Sequence, residues 1–202
     1  MTAPTAIFEG FSISHAQILD GSTSFIETAF AAYDEDLDIY GVADGSLEPD
    51  TDSYDNEGDD VVLSTWEWLN KATIAAQAGY ISLPVYSSIT GRPIITTGTA
   101  ANTAHAMDLW HEDDFGAAAK PMILKCPSRD SRGAARDLVI GLYRVSFGAM
   151  TFDGPAFKDG LKANYNGTAN FSLYDEEGVA FVDGKKRVGR LISVGKTAPV
   201  GP

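Results

Sequence analysis

The sequence of 202 residues predicts a mainly β, mostly antiparallel fold with one short helix at its side. Two long stretches, 61–78 and 161–173, alternate apolar and polar residues with a period of two, which is typical of half-buried strands. Clusters of Gly, Pro and Asp separate the alternating stretches as turns do, at 153–155, 158–160 and 183–184. No repeat and no linker divides the chain, so residues 1–202 are expected to form a single domain.

The first alternation, 61–78, predicts an unusually long strand. At about 3.3 Å per residue it would span about 50 Å, so it must bend, run around a barrel or project beyond the domain. Its two predicted faces consist of Val62, Trp66, Trp68, Ile74, Ala76 and Ala78 on the apolar side, and of Glu67, Lys71, Thr73 and Gln77 on the polar side.

The second alternation, 161–173, predicts a strand with one core face and one face that is polar but almost uncharged. The core face holds Leu161, Ala163, Tyr165, Ala169, Phe171 and Leu173, and the polar face holds Lys162, Asn164, Asn166, Thr168, Asn170 and Ser172. Further strands are predicted at 104–111, 122–126, 136–147 and 187–194. The stretch 136–147 is apolar on both faces, which favours a central or interfacial position.

The segment 84–90 predicts the short helix, because Pro84 suits a first helical turn and Gly91 suits a helix end. The two tails, 1–7 and 196–202, are small, polar and contain Pro or Gly. They are expected to be extended arms that order on packing against something else.

Charge is unevenly distributed along the chain. The net charge is −13, and residues 1–70 hold 16 acidic side chains and no basic one, since Lys71 is the first cation. This balance disfavours binding of nucleic acid, which needs a basic patch. An apolar share of 44 % excludes wholesale disorder. A single cysteine, Cys126, fits a reducing compartment, and neither a secretory signal nor a membrane span is expected.

The segment 43–60 is predicted to be a long acidic loop. Its carboxylates could hold calcium, but an EF-hand loop would need an oxygen ligand where Tyr54 stands and glycine where Asp55 stands. A solvated or partner-facing loop is therefore favoured. The dense cluster comprises Asp50, Asp52, Asp55, Glu57, Asp59 and Asp60.

Other patterns offer little chemistry. His105 and His111 share a strand face but would lie about 20 Å apart, too far to bind one ion. Hydrolase, metalloprotease, Walker and dinucleotide-binding motifs are missing, so no enzyme activity and no cofactor are expected. The segment 125–136 is instead predicted to be a mobile basic loop that complements the acidic one on a neighbouring copy, through Arg129, Arg132 and Arg136.

Taken together, several motifs resemble the major tail (tail tube) protein of long, non-contractile-tailed bacteriophages that infect actinobacteria. The resemblance spans nearly the whole chain and is most specific at 51–82. It rests on the run from Thr51 to Asp60, the strand with Trp66 and Trp68, the run from Gln77 to Ser82, the helix ending at Thr90 and Gly91, the strand 160–173 leading to Asp175-Glu176-Glu177-Gly178, and the closing run from Val188 to Val194.

The resemblance implies a β-sandwich or barrel subunit with a flanking helix. Six such subunits form a ring, and rings stack into a tube that carries double-stranded DNA from the virion into the host. It further implies assembly in the bacterial cytoplasm, a place in the virion tail, and contacts with tape-measure, tail terminator and distal tail proteins. Double-stranded DNA would pass without specific binding, because an acidic lumen repels phosphates.

In that family a long loop between two early strands contacts the adjacent ring, and 43–60 occupies its place here. The expected contact residues are Asp50, Asp52, Tyr54, Asp55, Glu57, Asp59 and Asp60, facing Arg129, Arg132 and Arg136 of the next ring. The expected lumen-facing residues are Asn164, Asn166 and Asn170. Two alternatives remain open at this point: an acidic calcium-binding β module, and a DNA mimic whose acids imitate phosphates.

Overall fold

The computed structural model describes residues 15–21, 23–26, 38–39, 42–58, 61–79, 82–99, 102–108, 118–129, 135–153 and 162–195. These residues are mainly β, with antiparallel pairing and one short helix, which confirms the predicted class. The predicted arms, 1–7 and 196–202, lie outside the described residues. In chain order the elements are β1 His15–Ile18, β2 Asp38–Ile39, β3 Val42–Gly58, β4 Val61–Ala78, α1 Leu83–Thr90, β5 Ile95–Thr99, β6 Asn102–Ala106, β7 Lys120–Arg129, β8 Ala135–Phe147, β9 Thr151–Asp153, β10 Lys162–Ala169 and β11 Gly189–Gly195.

Nine strands form one sheet with the order β2-β1-β7-β8-β10-β4-β3. The strand β11 adds to β8, and β9 adds to β10. The hairpin of β5 and β6 forms a separate sheet in which all ten residues are exposed. Within the described residues the end strands β2 and β3 are not paired with each other. The fold is therefore consistent with a β-sandwich with one helix, and the sheet is not a closed barrel.

The main core lies on the inner face of this curved sheet, where α1 packs. Helix α1 is bounded by a capping residue at each end. At its start the Ser82 hydroxyl accepts a hydrogen bond from Val85 N at 3.4 Å, and at its end Gly91 has a left-handed φ of 74°. Its extent agrees with the predicted 84–90 to within one residue. Every second residue is buried there from Ala72 to Ala78 of β4 and from Ala163 to Ala169 of β10, including Ile74 and Tyr165, as period-two alternation requires.

A second apolar cluster covers the outer face of β7, β8 and β11. It contains Leu19, Phe25, Ile123, Val139, Tyr143 and Val194, with Phe181 and Ile192 packed against it. The buried carboxylate of Glu176 accepts a hydrogen bond from Phe25 N at 2.8 Å and so ties the segment 170–188 to this cluster. Both faces of β8 are thus covered, which confirms the central position predicted for 136–147.

Two segments that were predicted to be loops differ from the structure. The loop predicted at 43–60 is strand β3 over its first sixteen residues, Ala43 to Gly58, because β4 supplies a pairing partner along its whole length. The Gly, Pro and Asp residues of β3 are tolerated because β3 lies at the end of the sheet. Pro49 lacks a backbone N–H, and at an end strand this loss need not break a hydrogen bond between strands. The mobile basic loop predicted at 125–136 consists largely of the ends of β7 and β8, and Lys125 is buried within β7.

The remaining boundaries shift at strand ends. The strand predicted at 161–173 is β10, which ends at Ala169, and that predicted at 104–111 is β6, which ends at Ala106. The turn predicted at 183–184 is present, and the other two predicted turns fall mainly on residues outside the description.

Candidate functional site

A bulge in β4 separates its core half from its outer half. The register pairs Asp50 with Lys71 and Thr51 with Leu69, so Asn70 is an extra residue in β4. One extra residue moves all subsequent side chains to the other face. Trp68, predicted to share a face with Ile74, therefore lies on the opposite face and is 48 % exposed. The prediction of one continuous apolar face along residues 61–78 is therefore wrong, because the face changes at Asn70.

Beyond the bulge, β3 and β4 form a projecting two-stranded arm. Strand β10 pairs with β4 from Ala72 to Ala78, so within the part of the chain that the structure describes residues 50–58 and 61–71 pair only with each other. At about 3.3 Å per residue the arm is about 30 Å long. Its described side chains are largely exposed, and those classed as exposed are Thr51, Asp52, Ser53, Tyr54, Thr65, Glu67, Trp68, Asn70 and Lys71. The long strand thus projects, one of the three outcomes predicted for it.

Two cross-strand contacts tie the base of the arm together. Lys71 Nζ lies 3.6 Å from Asp50 Oδ2, and Asn70 Nδ2 donates to Asp52 Oδ2 at 2.6 Å. Both contacts are exposed, so each contributes about 1 kcal/mol or less. Asp50 and Asp52, predicted to meet arginines of another copy, already have partners in their own chain.

The other acidic candidates are only partly described. Tyr54 is 61 % exposed on the same face as Asp52. Asp55 and Glu57 lie in β3, but their side chains are outside the description, as are Asp59 and Asp60 entirely. Within the described residues no three His, Cys, Asp or Glu side chains are grouped so that they could hold a metal ion.

The polar face of the sheet is the second part of the candidate site. Asn164 lies opposite Gln77, Asn166 opposite Ala75, and Thr168 opposite Thr73. Gln77 Nε2 donates to Asn164 Oδ1 at 3.0 Å, and Asn164 Nδ2 donates to Thr151 Oγ1 at 3.5 Å. Two amides and one hydroxyl are thus linked across three strands, and they present an uncharged, hydrogen-bonded surface.

This polar face is open, unlike the outer face of β7 and β8. An open depression of about 320 Å³ lies on it, lined by Gly45, Ser46, Ala75, Gln77, Asn164 and Asn166. Asn170, just past β10, donates to Ser146 Oγ at 3.5 Å and to Thr168 O at 3.3 Å. The three predicted asparagines therefore follow one face of β10, as the alternation predicts.

The acidic residues and the asparagines share this face. The register places Glu48, Asp50 and Asp52 of β3 on the same side of the sheet as Thr73 and Asn166. Thr73 lies in β4 and Asn166 in β10, the second and third strands counted from the β3 edge. The polar face is therefore uncharged from Thr73 to Gln77 of β4 and from Asn164 to Thr168 of β10, and it is negatively charged along its β3 edge. The sequence prediction assigned these two groups to different surfaces.

The predicted basic partners do not form one exposed patch among the described residues. Arg136 is half-buried in β8, opposite Ser128 and Gly195, and has interactions within the chain. Arg129 ends β7, and its side chain is outside the description, as is the whole of Arg132.

A basic stretch that the sequence prediction did not include lies where the chain leads into β11. Four of the six residues from Lys185 to Arg190 are cations, and they precede and enter β11. Their density was the available signal. Half of the cations, Arg187 and Arg190, fall within the strand predicted at 187–194 rather than in a predicted loop.

No family model matches this sequence, and no curated protein matches it. No described helix has the length and apolar character needed to cross a membrane.

Proposed function

We propose that this chain is the tail tube protein of a bacteriophage with a long, non-contractile tail. Copies assemble into rings, and the resemblance to the tail tube family implies six copies in each ring. The rings stack into a tube through which double-stranded DNA passes. The observation that carries the proposal is the two-stranded arm of residues 50–58 and 61–71. An isolated two-stranded hairpin is at best marginally stable in water, so this arm needs a surface to pack against.

The free edge of the sheet supports the same conclusion. Within the described residues β3 pairs only with β4, which leaves one side of a 17-residue strand without backbone partners. Such an edge invites pairing with another chain unless it is covered. A second copy covers it in a ring, since joining sheets between subunits removes free edges altogether.

The polar face has the chemistry expected of a channel wall for DNA. Its amides bind one another, and its charged edge is negative. Tight binding of DNA depends on cations that displace counterions from phosphates. Among the described residues, the cations of this face, Lys71, Arg144 and Lys162, lie at its margins, and the amides and hydroxyls between them offer no such group. DNA would therefore slide past rather than stick.

Electron microscopy of the purified protein tests the proposal. We expect negative-stain images of the full chain at rising concentration to show rings and then tubes of constant diameter with a central channel. A matched variant replaces residues 51–70 by an Asn-Gly turn, which joins the paired residues Asp50 and Lys71 directly. This armless variant should fold, and its far-UV circular dichroism spectrum should differ from that of the wild type only by the loss of the strand residues of the arm. It should remain monomeric and form no tubes.

Two results would overturn the proposal. One is a monodisperse monomer of the wild-type chain at every concentration tested. The other is tube formation by the armless variant at the wild-type concentration, since the arm would then have no part in assembly.

A further inference from the structure

A rigid basic turn projects from the segment that leads into β11. We define the basic turn as residues 181–190. Gly184 N donates to Phe181 O at 3.0 Å, which closes a β-turn with Val182 and Asp183 at its centre. Asp183 Oδ1 then accepts from Lys185 N at 3.1 Å. This is the Asx-type bonding that stabilises tight turns.

Side-chain contacts hold the turn against the body of the protein. Arg187 Nη2 lies 2.7 Å from Asp183 Oδ2, and the Arg187 guanidinium stacks 4.4 Å from the centre of the Phe181 ring. Phe181 in turn packs edge-on against Tyr143 of the second apolar cluster, with ring centres 5.1 Å apart. The conformation is thus set before any partner arrives, so docking costs little ordering entropy.

The outer surface of the basic turn combines apolar and cationic groups. Val182 is fully exposed at its tip. Lys185 and Lys186 are exposed and, among the described residues, form no ion pair. A rigid turn that presents a bare valine beside free lysines is suited to contact with an acidic surface that also carries apolar side chains.

The arm of the same protein has that complementary surface. It carries five acids and one base within 50–58 and 61–71, and it exposes the aromatic side chains of Tyr54 and Trp68. Both surfaces are exposed within one chain, so neither covers the other there. In a protein of net charge −13, the basic turn is the densest run of cations available to attract a second copy.

We infer that the acidic arm of one copy docks on the basic turn of a second copy, with Tyr54 and Trp68 against Val182 and with Asp52, on the same face of the arm, near Lys185 and Lys186. The hydrogen bond that Asp52 accepts from Asn70 comes from a neutral amide, so Asp52 keeps its negative charge. This inference rests on the proposed assembly into a tube and names the contact that joins its subunits. It replaces the predicted partners Arg129, Arg132 and Arg136, of which Arg136 is already engaged within its own chain.

Charge reversal with rescue tests the contact. We expect Lys185→Glu/Lys186→Glu to raise the critical concentration for assembly by about fivefold or more at low salt, since each exposed pair contributes modestly. The matched control Arg92→Glu/Lys120→Glu makes the same change in net charge beside α1, away from the arm, the basic turn and the polar face, and should leave assembly near wild type. Adding Asp50→Lys/Asp52→Lys, on the face of the arm that carries Tyr54 and Trp68, to the turn variant in one chain should restore assembly, and the difference from wild type should shrink at about 0.5 M salt.

The outcomes separate the inference from the proposed function. If wild type forms tubes and the turn variant assembles as the control does, the docking contact is wrong while the tube proposal stands. If wild type never assembles, both fail. A second measurement is independent of the charges: with Cys126→Ala as background, Tyr54→Cys/Val182→Cys should form disulfide-linked chains under mild oxidation. The control for this measurement is Tyr54→Cys/Thr96→Cys, in which the second cysteine lies on the exposed strand β5. If Tyr54→Cys/Val182→Cys forms no more disulfide-linked chains than this control, the contact is also refuted.

Discussion

Gly141→Ala should destabilise the protein, because Gly141 allows the Phe25 ring to lie directly against the backbone of β8. A Cβ built at this position overlaps three atoms of that ring, of which Cγ would be only 2.6 Å away. Ordinary contacts between carbon atoms are about 3.5–4.0 Å. The ring would therefore have to move outward by about 1 Å, or β8 would have to shift away from it.

Neither movement is easy. Phe25 is completely buried, its N–H donates to the buried Glu176 carboxylate at 2.8 Å, and its ring lies 5.3 Å from that of Tyr143. Overpacking of this kind costs about 1–3 kcal/mol. Replacing glycine in a strand by alanine raises the free energy of unfolding by about 0.5–1 kcal/mol, because it reduces the entropy of the unfolded chain. We expect a net loss of about 1–2 kcal/mol in the free energy of unfolding.

Urea unfolding followed by far-UV circular dichroism measures this loss. The control is Gly148→Ala, an exposed position where the new Cβ would meet only Asn166 O at 3.8 Å, and its midpoint should stay near wild type. Adding Phe25→Leu to Gly141→Ala should recover part of the loss by making room for the Cβ. An unfolding midpoint for Gly141→Ala equal to or above that of Gly148→Ala would refute the packing argument.

Three further predictions concern the main core, the helix end and alkaline pH. Ile74→Ala, which empties a fully buried site in β4, should lower the free energy of unfolding by about 2–5 kcal/mol in the same urea assay; a loss below that of an exposed Thr73→Ala control would contradict it. Gly91→Ala should cost about 1 kcal/mol, because Gly91 has φ of 74° at the end of α1, and an unchanged thermal midpoint would count against the assignment. Burial raises the pKa of the Cys126 thiol from 9.0 to about 11, with the Asp137 carboxylate adding to the shift, and burial raises the pKa of Tyr165 from 10.0 to about 12. Since the unfolded chain releases these protons first, stability should be complete below pH 9 and should fall as the pH rises from 9 to 12; a flat unfolding midpoint across that range would show that neither group is buried.

The strands that the sequence predicts well are those whose packing is local and regular. In β10, Ala163, Tyr165 and Ala169 face the core while Asn164 and Asn166 face outward, so the period of two is visible in the residues themselves. The helix α1 is equally predictable, since Ser82, Pro84 and Gly91 are end signals that act within the segment.

The elements that escape prediction depend on a partner strand. Nothing within β3 indicates a strand, since its Asp, Gly, Pro and Ser residues favour turns, and only pairing with β4 makes it extended. The face occupied by Trp68 depends on the single extra residue Asn70, and a bulge has no signature in the alternation that it interrupts. The merging of acidic residues and asparagines on one surface follows from sheet order, which no local pattern encodes.

The strand β8 has a consequence for how the protein unfolds. One of its edges pairs with β7, and its other edge pairs first with β11, at residues 136–142, and then with β10, at residues 145–147. Opening β8 therefore requires three strands to separate at once, whereas the arm can open without disturbing any of them. Amide protons of β8 should consequently exchange with deuterium at the rate set by global unfolding, and those of the arm should exchange at a faster local rate.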